Sequence, residues 1–276
     1  MIINGNTKIV GLIGHPVEHT FSPQMHNAAF SKLNMNYIYA AFDVKPENLE
    51  KAIKNAEALD IKGFNVTIPH KVNVIQYLND IDETAKQIGA VNTIDFKNLK
   101  GYNTDGLGAV KAIEEITKVK NKNILIAGAG GASRAIAFYL KKNNVNEITI
   151  LNRNIQKAQN LADELEASSD SISQINKYME NTDILINTTP IGMYPNINDT
   201  PITNAENMHE EQVVFDAVYN PNKTQLLNEA IKAGAKPVYG IKMLLYQGAE
   251  SFRIWTGKKP PIKTMEETLK KTLGQD

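Results

Sequence analysis

Residues 123–133 read Asn-Ile-Leu-Ile-Ala-Gly-Ala-Gly-Gly-Ala-Ser, and this stretch decides the fold class. Its first half is almost entirely apolar, which is typical of a strand buried on both faces of a parallel sheet. The glycines that follow open a tight turn, and residues 133–141 have a helical pattern. A strand, a glycine-rich turn and a helix in this order form a dinucleotide fingerprint, in which the helix N-terminus binds the pyrophosphate. Ser133 stands at the third glycine position, where helix–strand packing tolerates a small residue.

The end of the next predicted strand, residues 147–151, indicates which dinucleotide binds. An NAD site needs a carboxylate there for the ribose 2′-hydroxyl. The sequence instead continues Asn-Arg-Asn and has no carboxylate before Asp163. Arg153 can stack on adenine and pair with a 2′-phosphate, and Lys157 adds positive charge one turn later. The alternative is that both side chains are solvated loop charges, but the pattern favours NADP.

Strand and helix patterns alternate along almost the whole chain, which predicts an α/β fold with parallel sheets. We expect two domains, an N-terminal α/β substrate domain and a Rossmann-type, doubly wound dinucleotide-binding domain. The dinucleotide-binding domain is predicted at residues 105–240. The tail is helical and has no strand, so it is expected to pack on the first domain, which then comprises residues 1–104 and 241–276.

The predicted element boundaries follow from hydrophobic periodicity and from glycine and proline positions. Strands are predicted at residues 8–13, 37–44, 63–68, 90–96, 123–127, 147–151, 183–187, 213–217 and 237–239. Helices are predicted at residues 46–58, 72–78, 106–116, 133–141, 154–165, 224–233, 242–255 and 264–273. A further helix starts at Ser22-Pro23, with Ser22 as the predicted N-cap.

The composition of the 276-residue chain is that of an ordinary globular protein, with 42% hydrophobic and 22% charged residues. Basic and acidic residues both number 30, so no field of one sign favours nucleic acid or an anionic membrane. The absence of cysteine excludes disulfides, thiolate nucleophiles and Cys-ligated metals. No signal segment or membrane span is recognisable, and we expect a cytoplasmic protein. His15, His19 and His26 have no accompanying Asp or Cys, so we expect no metal.

Residues 64–71 read Phe-Asn-Val-Thr-Ile-Pro-His-Lys and carry the strongest catalytic signal in the first domain. Asn65 and Thr67 share one face of the predicted strand, and Pro69 ends it. Lys71 follows at the C-terminal end, where ligands sit in open α/β sheets. The alternative is a strand with a polar outer face and a surface lysine.

Further polar residues flank this strand in the sequence. Asp105 begins a predicted helix and is either its cap or a partner that holds Lys71 charged in a cleft between the domains. Thr20 and Ser22 offer two hydroxyls to a polyol or carboxylate, although a loop residue and a helix cap would explain them equally. No Ser-His-Asp pattern or phosphate-transfer loop is present. A dinucleotide site with one proton donor is sufficient for hydride transfer.

The chain resembles the shikimate dehydrogenase family over nearly its full length. The stretches that carry the resemblance are residues 14–16, 19–27, 63–71, 89–93, 101–106, 128–133, 152–153, 187–193 and 246–249. The resemblance implies reversible, NADPH-dependent reduction of 3-dehydroshikimate to shikimate in chorismate and aromatic amino acid biosynthesis. It also implies that Lys71 is the catalytic acid/base and that Asp105 is its partner on the substrate hydroxyl.

The resemblance assigns further residues to three parts of the site, and it leaves Asn65 without a role. The implied substrate binders are Thr20, Ser22, Thr67, Asn92, Asp105, Tyr219 and Gln247. The implied cofactor binders are Gly128, Ala129, Gly130, Gly131 and Ala132 at the pyrophosphate, Asn152, Arg153, Asn154 and Lys157 at the adenosine phosphate, and Val218, Gly240 and Met243 at the nicotinamide. Thr20 replaces the usual serine, so the choice between shikimate and quinate stays open. Asn154 replaces the commoner threonine or serine, which weakens the inference of a 2′-phosphate contact, and Arg153 carries most of that inference.

Two other interpretations remain at this point. The same fold could use quinate as a substrate with NAD as its cofactor. A non-enzymatic protein that senses a dinucleotide could also keep the fold, but such a protein could dispense with Lys71 and Asp105, and both are present. The sequence leaves the oligomeric state open, a homodimer included.

Overall fold

The computed structural model describes residues 3–274. The chain forms two compact units. The first comprises the residues up to Thr104 together with those from Gln247 onward, and the second comprises residues 105–246. Within residues 3–274, no helix combines the length and the apolar character that a membrane span requires.

The first unit is built on a six-stranded mixed sheet in the order β2-β1-β3-β5-β6-β4. Its strands are β1 (Lys8–Gly14), β2 (Tyr37–Asp43), β3 (Gly63–Val66), β4 (Asp80–Ile81), β5 (Thr93–Asp95) and β6 (Lys100–Tyr102). Its helices are α1 (Ser22–Lys32), α2 (Leu49–Ala58), α3 (Glu83–Ile88) and α10 (Ile262–Thr272). Helix α9 (Gly240–Thr256) starts in the second unit and ends in the first.

The prediction of parallel strands is wrong for part of this sheet. Strand β3 runs antiparallel to β5, and β5 runs antiparallel to β6. Residues 96–99 are the whole connection between β5 and β6, which suits a hairpin and is too short for a parallel crossover. Leu99 has a φ of 47° and closes this turn in the left-handed region.

Three further local predictions need correction. The strand predicted at residues 63–68 ends at Val66, the last residue of β3 that pairs in register with β1, although Thr67 N still donates to the Ile13 carbonyl. The helix predicted at residues 72–78 is a 3₁₀ segment, Asn73–Tyr77, and the strand predicted at residues 90–96 shrinks to β5. Another 3₁₀ segment, Pro46–Asn48, precedes α2.

Ser22 is not an N-cap. Helix α1 begins at Ser22 itself, and no side chain makes a cap hydrogen bond from the position before it. The backbone N–H of Ser22 donates to Oγ1 of Thr20 over 3.3 Å. No capping hydrogen bond from a side chain is formed at this helix start, so the almost fully buried Ser22 is explained by something other than capping.

The second unit is a parallel six-stranded sheet in the order β12-β11-β10-β7-β8-β9. Its strands are β7 (Asn123–Ala127), β8 (Glu147–Asn152), β9 (Ser168–Ser171), β10 (Ile184–Asn187), β11 (Val213–Asp216) and β12 (Lys236–Tyr239). Its helices are α4 (Asp105–Glu114), α5 (Gly131–Lys142), α6 (Ile155–Leu165), α7 (Ile175–Met179) and α8 (Gln225–Lys232). This arrangement confirms the predicted doubly wound, Rossmann-type architecture.

The continuous apolar run of β7 is explained by burial on both faces of this sheet. Ile124 and Ile126 pack in one hydrophobic cluster with α4, α5 and α6. Leu125 points to the other face and packs with α7 and α8. Because successive strand residues point in opposite directions, a strand covered on both faces cannot alternate apolar and polar residues.

Candidate active site

The glycine-rich turn after β7 has the geometry that an anion requires. Gly128 has a φ of +111°, and a Cβ there would lie 2.3 Å from Oγ1 of Thr188, so only glycine fits. A Cβ at Gly130 or Gly131 would meet no atom within 4 Å. Gly130 precedes α5, and no side chain caps the helix. The start of α5 therefore faces open space with its N-terminal dipole, which suits a pyrophosphate.

Ser133 fixes this turn through a hydrogen bond that the sequence pattern does not predict. The Ser133 side chain is fully buried, and its Oγ donates to the carbonyl of Gly128 over 2.7 Å. The hydroxyl thus joins the first turn of α5 to the end of β7. The sequence suggested only that a small residue is tolerated here. The residues of this turn fit a dinucleotide cofactor.

The segment after β8 offers positive charge to solvent. Arg153 and Lys157 are both exposed. Asn154 precedes α6, and its Oδ1 accepts from the backbone N–H of Lys157 over 3.2 Å. Asparagine caps a helix about as well as serine or threonine. The replacement at Asn154 therefore keeps the capping function, and Arg153 keeps its place beside the cap.

A buried carboxylate lies at the ends of β10 and β11. Asp216 is fully buried and accepts from Asn187 Nδ2 at 2.9 Å, the Val218 N–H at 3.0 Å and Thr224 Oγ1 at 2.6 Å. Burial raises the pKa of Asp216 to about 6, against the opposing effect of the three donors. Thr224 in turn accepts from Leu227 N and caps α8. These contacts hold both ends of the loop at residues 217–224.

The loop carries two of the residues expected near the nicotinamide and the substrate. Val218 is buried and Tyr219 is exposed. A Cβ on Gly240 would lie 2.5 Å from the Val218 carbonyl oxygen, so close packing at the start of α9 requires glycine there. Met243, one turn later, is half-buried against the hydrophobic cluster around β7.

In the first unit, the backbone around Lys71 is anchored on both sides. Thr67 N donates to the carbonyl of Ile13 over 3.0 Å, and Lys71 O accepts from Val91 N over 2.8 Å. Between them His70 is fully buried, and its Nε2 donates to the carbonyl of Val44 over 2.6 Å. Lys71 is half-buried. The lysine therefore emerges from a well-fixed turn at the C-terminal end of β3.

Asn92 has its side-chain amide fixed by the residues that precede α4. Its Oδ1 accepts from Thr104 N at 2.8 Å and from Thr93 Oγ1 at 3.0 Å. Its Nδ2 donates to Thr104 Oγ1 at 3.0 Å. Asn92 is almost fully buried, so its orientation is set within the first unit.

Asn65, which the sequence left without a role, is the centre of a buried polar network in the first unit. Its Nδ2 lies 2.9 Å from Ser251 Oγ and 3.1 Å from Thr93 Oγ1, and its Oδ1 accepts from Tyr39. Ser251 Oγ also approaches Thr93 Oγ1 at 2.8 Å. The network connects β2, β3 and β5 to α9 and reaches Asn92 through Thr93.

The remaining expected residues lie at separate places. Thr20 is half-buried beside the start of α1, and Gln247 is half-buried on α9, where its carbonyl accepts from Ser251 Oγ. Asp105 is the buried first residue of α4. Lys71 belongs to the first unit and Asp105 to the second, so their pairing stays a prediction. Across residues 3–274, no three His, Cys, Asp or Glu side chains are grouped to hold a metal ion.

The second unit is of the Rossmann type and has an open glycine turn, and the first unit carries a lysine at the end of a strand. Together these features are typical of a two-domain, dinucleotide-dependent oxidoreductase. Three family models match the chain. They describe the shikimate dehydrogenase substrate binding domain at residues 12–94, shikimate / quinate 5-dehydrogenase at residues 110–229 and the shikimate 5′-dehydrogenase C-terminal domain at residues 240–270. The chain belongs to the shikimate dehydrogenase family, which confirms the family and fold class expected from the sequence.

Individual relatives are similar over their whole length. Shikimate dehydrogenase (NADP⁺) of Methanobrevibacter smithii is 64% identical and matches 99% of each chain. The enzyme of the same name from Methanothermobacter thermautotrophicus is 51% identical and matches 100% of each chain. A crystal structure of a shikimate dehydrogenase in complex with NADP⁺ has a TM-score of 0.94 and 51% identity, and the match covers 99% of this chain and 98% of that one.

Proposed function

We propose that this protein catalyses the reversible, NADPH-dependent reduction of 3-dehydroshikimate to shikimate. The relatives that carry the name shikimate dehydrogenase (NADP⁺) support the activity and the cofactor, since their identity of 51–64% extends over the full chain. The structural observation that carries the proposal is the anchored turn at the end of β3, from which the half-buried Lys71 emerges.

The substrate residues are proposed to bind and orient the hydroxyl and carboxylate groups of the enone acid. Bound NADPH supplies a hydride to the C3 carbonyl carbon. Lys71 donates a proton to the carbonyl oxygen as negative charge develops there, so that C=O becomes CH–OH. In the reverse direction the neutral amine of Lys71 takes the hydroxyl proton and becomes charged, and Asp105 is the partner that orients the lysine and stabilises its charged form. The proposed substrate binders are Thr20, Ser22, Thr67, Asn92, Asp105, Tyr219 and Gln247.

The second unit is proposed to hold the cofactor. The open turn from Gly128 to Ala132 receives the pyrophosphate, because Cβ atoms at Gly130 and Gly131 would meet no protein atom within 4 Å. Arg153 and Lys157 would pair with the 2′-phosphate, with Asn152 and Asn154 shaping the loop around them. Val218, Gly240 and Met243 would lie at the nicotinamide. We propose residues 1–104 and 241–276 as the substrate domain and residues 105–240 as the NADP domain.

Two further parts of the proposal concern the location and the assembly of the protein. We place the enzyme in the cytoplasm, where NADPH-dependent biosynthesis takes place, and we propose a homodimer as its assembly. Sedimentation of the purified protein tests the second point, since a monomer mass over a wide concentration range would exclude the dimer.

The decisive experiment is an oxidation assay with shikimate and quinate side by side, each with NADP⁺ and with NAD⁺. We expect the highest kcat/KM for shikimate with NADP⁺. Activity with neither substrate would overturn the proposal. A higher kcat/KM for quinate with NAD⁺ would establish the second candidate.

Thr20 is the residue that makes quinate a second candidate substrate. The methyl group of Thr20 is added where the family usually has serine, and its hydroxyl contacts the start of α1. Thr20→Ser is expected to shift the ratio of kcat/KM for shikimate and quinate if this residue contributes to the choice between them.

A further inference from the structure

The hydroxyl of Thr93 has three polar side-chain neighbours within hydrogen-bond distance. Its Oγ1 lies 3.0 Å from Oδ1 of Asn92, 3.1 Å from Nδ2 of Asn65 and 2.8 Å from Oγ of Ser251. Thr93 and Ser251 are fully buried, and Asn65 and Asn92 are almost fully buried. In such surroundings a lost partner leaves a buried polar atom unsatisfied, so each of these bonds restricts the groups that make it.

Asn92 determines the direction of the hydrogen bonds at this hydroxyl. Oδ1 of Asn92 faces the backbone N–H of Thr104 at 2.8 Å, and an N–H can only donate, so this end of the amide is the oxygen. An amide oxygen carries no proton, so the single proton of the Thr93 hydroxyl points to Asn92. Ser251 therefore supplies the proton in its contact with Thr93, and the Gln247 carbonyl at 3.1 Å is the second, longer acceptor of that proton.

The side-chain amide of Asn65, which also donates to Thr93, is fixed by an aromatic residue. Oδ1 of Asn65 accepts from the hydroxyl of Tyr39 over 2.9 Å, and Nδ2 points to Ser251 Oγ at 2.9 Å. The ring of Tyr39 stacks on His26 with centroids 4.5 Å apart and planes 1° apart. The amide of Asn65 can therefore turn over only if it gives up the bond to Tyr39.

We propose that Thr93 is a positioning residue for shikimate binding, and that it acts by fixing the side-chain amide of Asn92. The inference rests on the proposed function, in which Asn92 binds the substrate. Because Oδ1 of Asn92 accepts from both Thr93 and the N–H of Thr104, a rotated amide would place its NH₂ group against two donors. The two bonds keep Asn92 in one orientation before the substrate arrives, so its amide need not be ordered on binding.

The first test compares Thr93→Val with Thr93→Ser. Valine keeps the shape of the side chain and removes one hydroxyl. Thr93→Val is expected to raise KM for shikimate roughly two- to tenfold, the effect of one neutral hydrogen bond, with KM for NADP⁺ unchanged. Thr93→Ser keeps the hydroxyl, so its KM for shikimate should stay close to that of wild type.

A double-mutant cycle with Asn92→Ala separates the orientation of Asn92 from a general effect on packing. If the Thr93 hydroxyl acts by orienting the Asn92 amide, Thr93→Val has little left to disturb once that amide is gone. We therefore expect Thr93→Val to raise KM for shikimate much less in the Asn92→Ala background than in wild type. Shikimate oxidation at saturating NADP⁺ gives KM for each enzyme of the cycle.

Three outcomes would overturn the role of Thr93. One is a wild-type KM for shikimate in Thr93→Val. Another is an equal increase of KM in the wild-type and Asn92→Ala backgrounds, which an effect on packing alone would give. The third is a Thr93→Ser enzyme that is as impaired as Thr93→Val. A wild-type protein without activity on shikimate would instead overturn the proposed function, so the two failures are distinguishable.

Thr203→Val is the matched control, because Thr203 is a buried threonine of the second unit whose hydroxyl also donates to an asparagine, Asn176, over 2.9 Å. It should leave KM for shikimate unchanged.

Ser251→Ala removes the hydroxyl that donates to Thr93, and it should raise KM for shikimate in the same sense as Thr93→Val. The factor should be smaller, because Nδ2 of Asn65 still reaches the Thr93 oxygen at 3.1 Å. Ser251→Ala also serves if Thr93→Val fails to fold, and a wild-type KM for shikimate in Ser251→Ala would then overturn the proposal.

Discussion

The side-chain amide of Asn187 donates a hydrogen bond of 2.9 Å to Oδ1 of Asp216. The two residues are register partners at the C-terminal ends of the parallel strands β10 and β11. Asp216 thereby links the sheet to the loop that carries Val218 and Tyr219. Because the carboxylate is fully buried, its protonation is coupled to folding.

Asp216→Asn is expected to change the pH dependence of stability. Burial raises the pKa of Asp216 to about 6, whereas an unfolded aspartate ionises near about 3.9. Between these values the folded protein binds more protons, so this contribution to stability is present at low pH and is lost as the pH rises through the folded-state pKa. Relative to wild type, the variant's free energy of unfolding should therefore rise by roughly 2 kcal/mol from about pH 4.5 to about pH 8.

Urea denaturation of both proteins at the two pH values measures this difference. Asp199→Asn, on an exposed loop, is the matched control for the loss of a carboxylate. A difference between Asp216→Asn and wild type that stays constant with pH would contradict the coupling.

Gly130→Ala is expected to weaken binding of the cofactor without lowering the stability of the fold. The added methyl would meet no protein atom within 4 Å, so the melting temperature should stay near that of wild type. The same methyl would occupy the space that the pyrophosphate needs, and Kd for NADP⁺ should rise at least about tenfold. Gly128→Ala is the contrasting variant, because its methyl would clash with Thr188 and its φ is +111°, so stability itself should fall. Titration calorimetry and thermal melts distinguish the two, and unimpaired NADP⁺ binding by Gly130→Ala would place the pyrophosphate elsewhere.

Arg153→Ala is expected to reduce the preference for the phosphorylated cofactor. Loss of a charge-assisted contact with the 2′-phosphate should raise KM for NADPH roughly 10- to 100-fold and leave KM for NADH almost unchanged. Steady-state kinetics with both cofactors give the ratio. Arg253→Ala, which removes an arginine bonded to Glu250 over 3.0 Å in the first unit, is the control. Equal effects of Arg153→Ala on the two cofactors would exclude the 2′-phosphate contact.

Lys71→Ala is expected to lower kcat by roughly 10²- to 10⁴-fold with little change in KM, since the lysine acts on the proton in the transition state. Lys62→Ala is the matched control, because Lys62 precedes the same strand at its other end and pairs with Asp60. The measurement is shikimate oxidation at saturating NADP⁺. A near-normal kcat in Lys71→Ala would remove this residue from the chemistry.

The parts of the fold that are encoded locally could be predicted from the sequence. Strand β7 was predicted at residues 123–127 and is observed at Asn123–Ala127. Its ends could be predicted because Lys122 precedes the mostly apolar run and Gly128 follows it. The glycine turn and the cap at Asn154 follow from the same kind of local signal. The boundaries of such elements need no information from distant residues.

The wrong predictions concern strands whose ends and directions are set by hydrogen bonding to neighbouring strands. Thr67 and Ile68 continue the alternation of β3, but the pairing of β3 with β1 ends at Val66, and Ile68 is 73% exposed. The direction of β5 depends on neighbours that local patterns do not specify. Strand β9 was missed because its sequence, Ser-Ser-Asp-Ser, lacks an apolar residue.

The polar network around Asn65 could not be predicted either. Asn65 and Ser251 are 186 positions apart in the chain, and their contact exists only after β3 and α9 have packed. From the sequence, Tyr39 lay within a predicted strand, and Ser22 was a helix cap or, by the resemblance, a substrate binder. The proposed catalytic lysine was recognisable from its motif, whereas the groups that orient its neighbours were visible only in three dimensions.

The hydrogen bond from Ser133 to Gly128 preorganises the loop that is proposed to bind the dinucleotide. The loop proposed to receive the diphosphate is joined to its helix by a 2.7 Å contact within the chain itself. No segment of this loop has to fold at the moment of encounter, so little entropy is lost there on association. We therefore expect association of the proposed diphosphate to require little rearrangement of this loop.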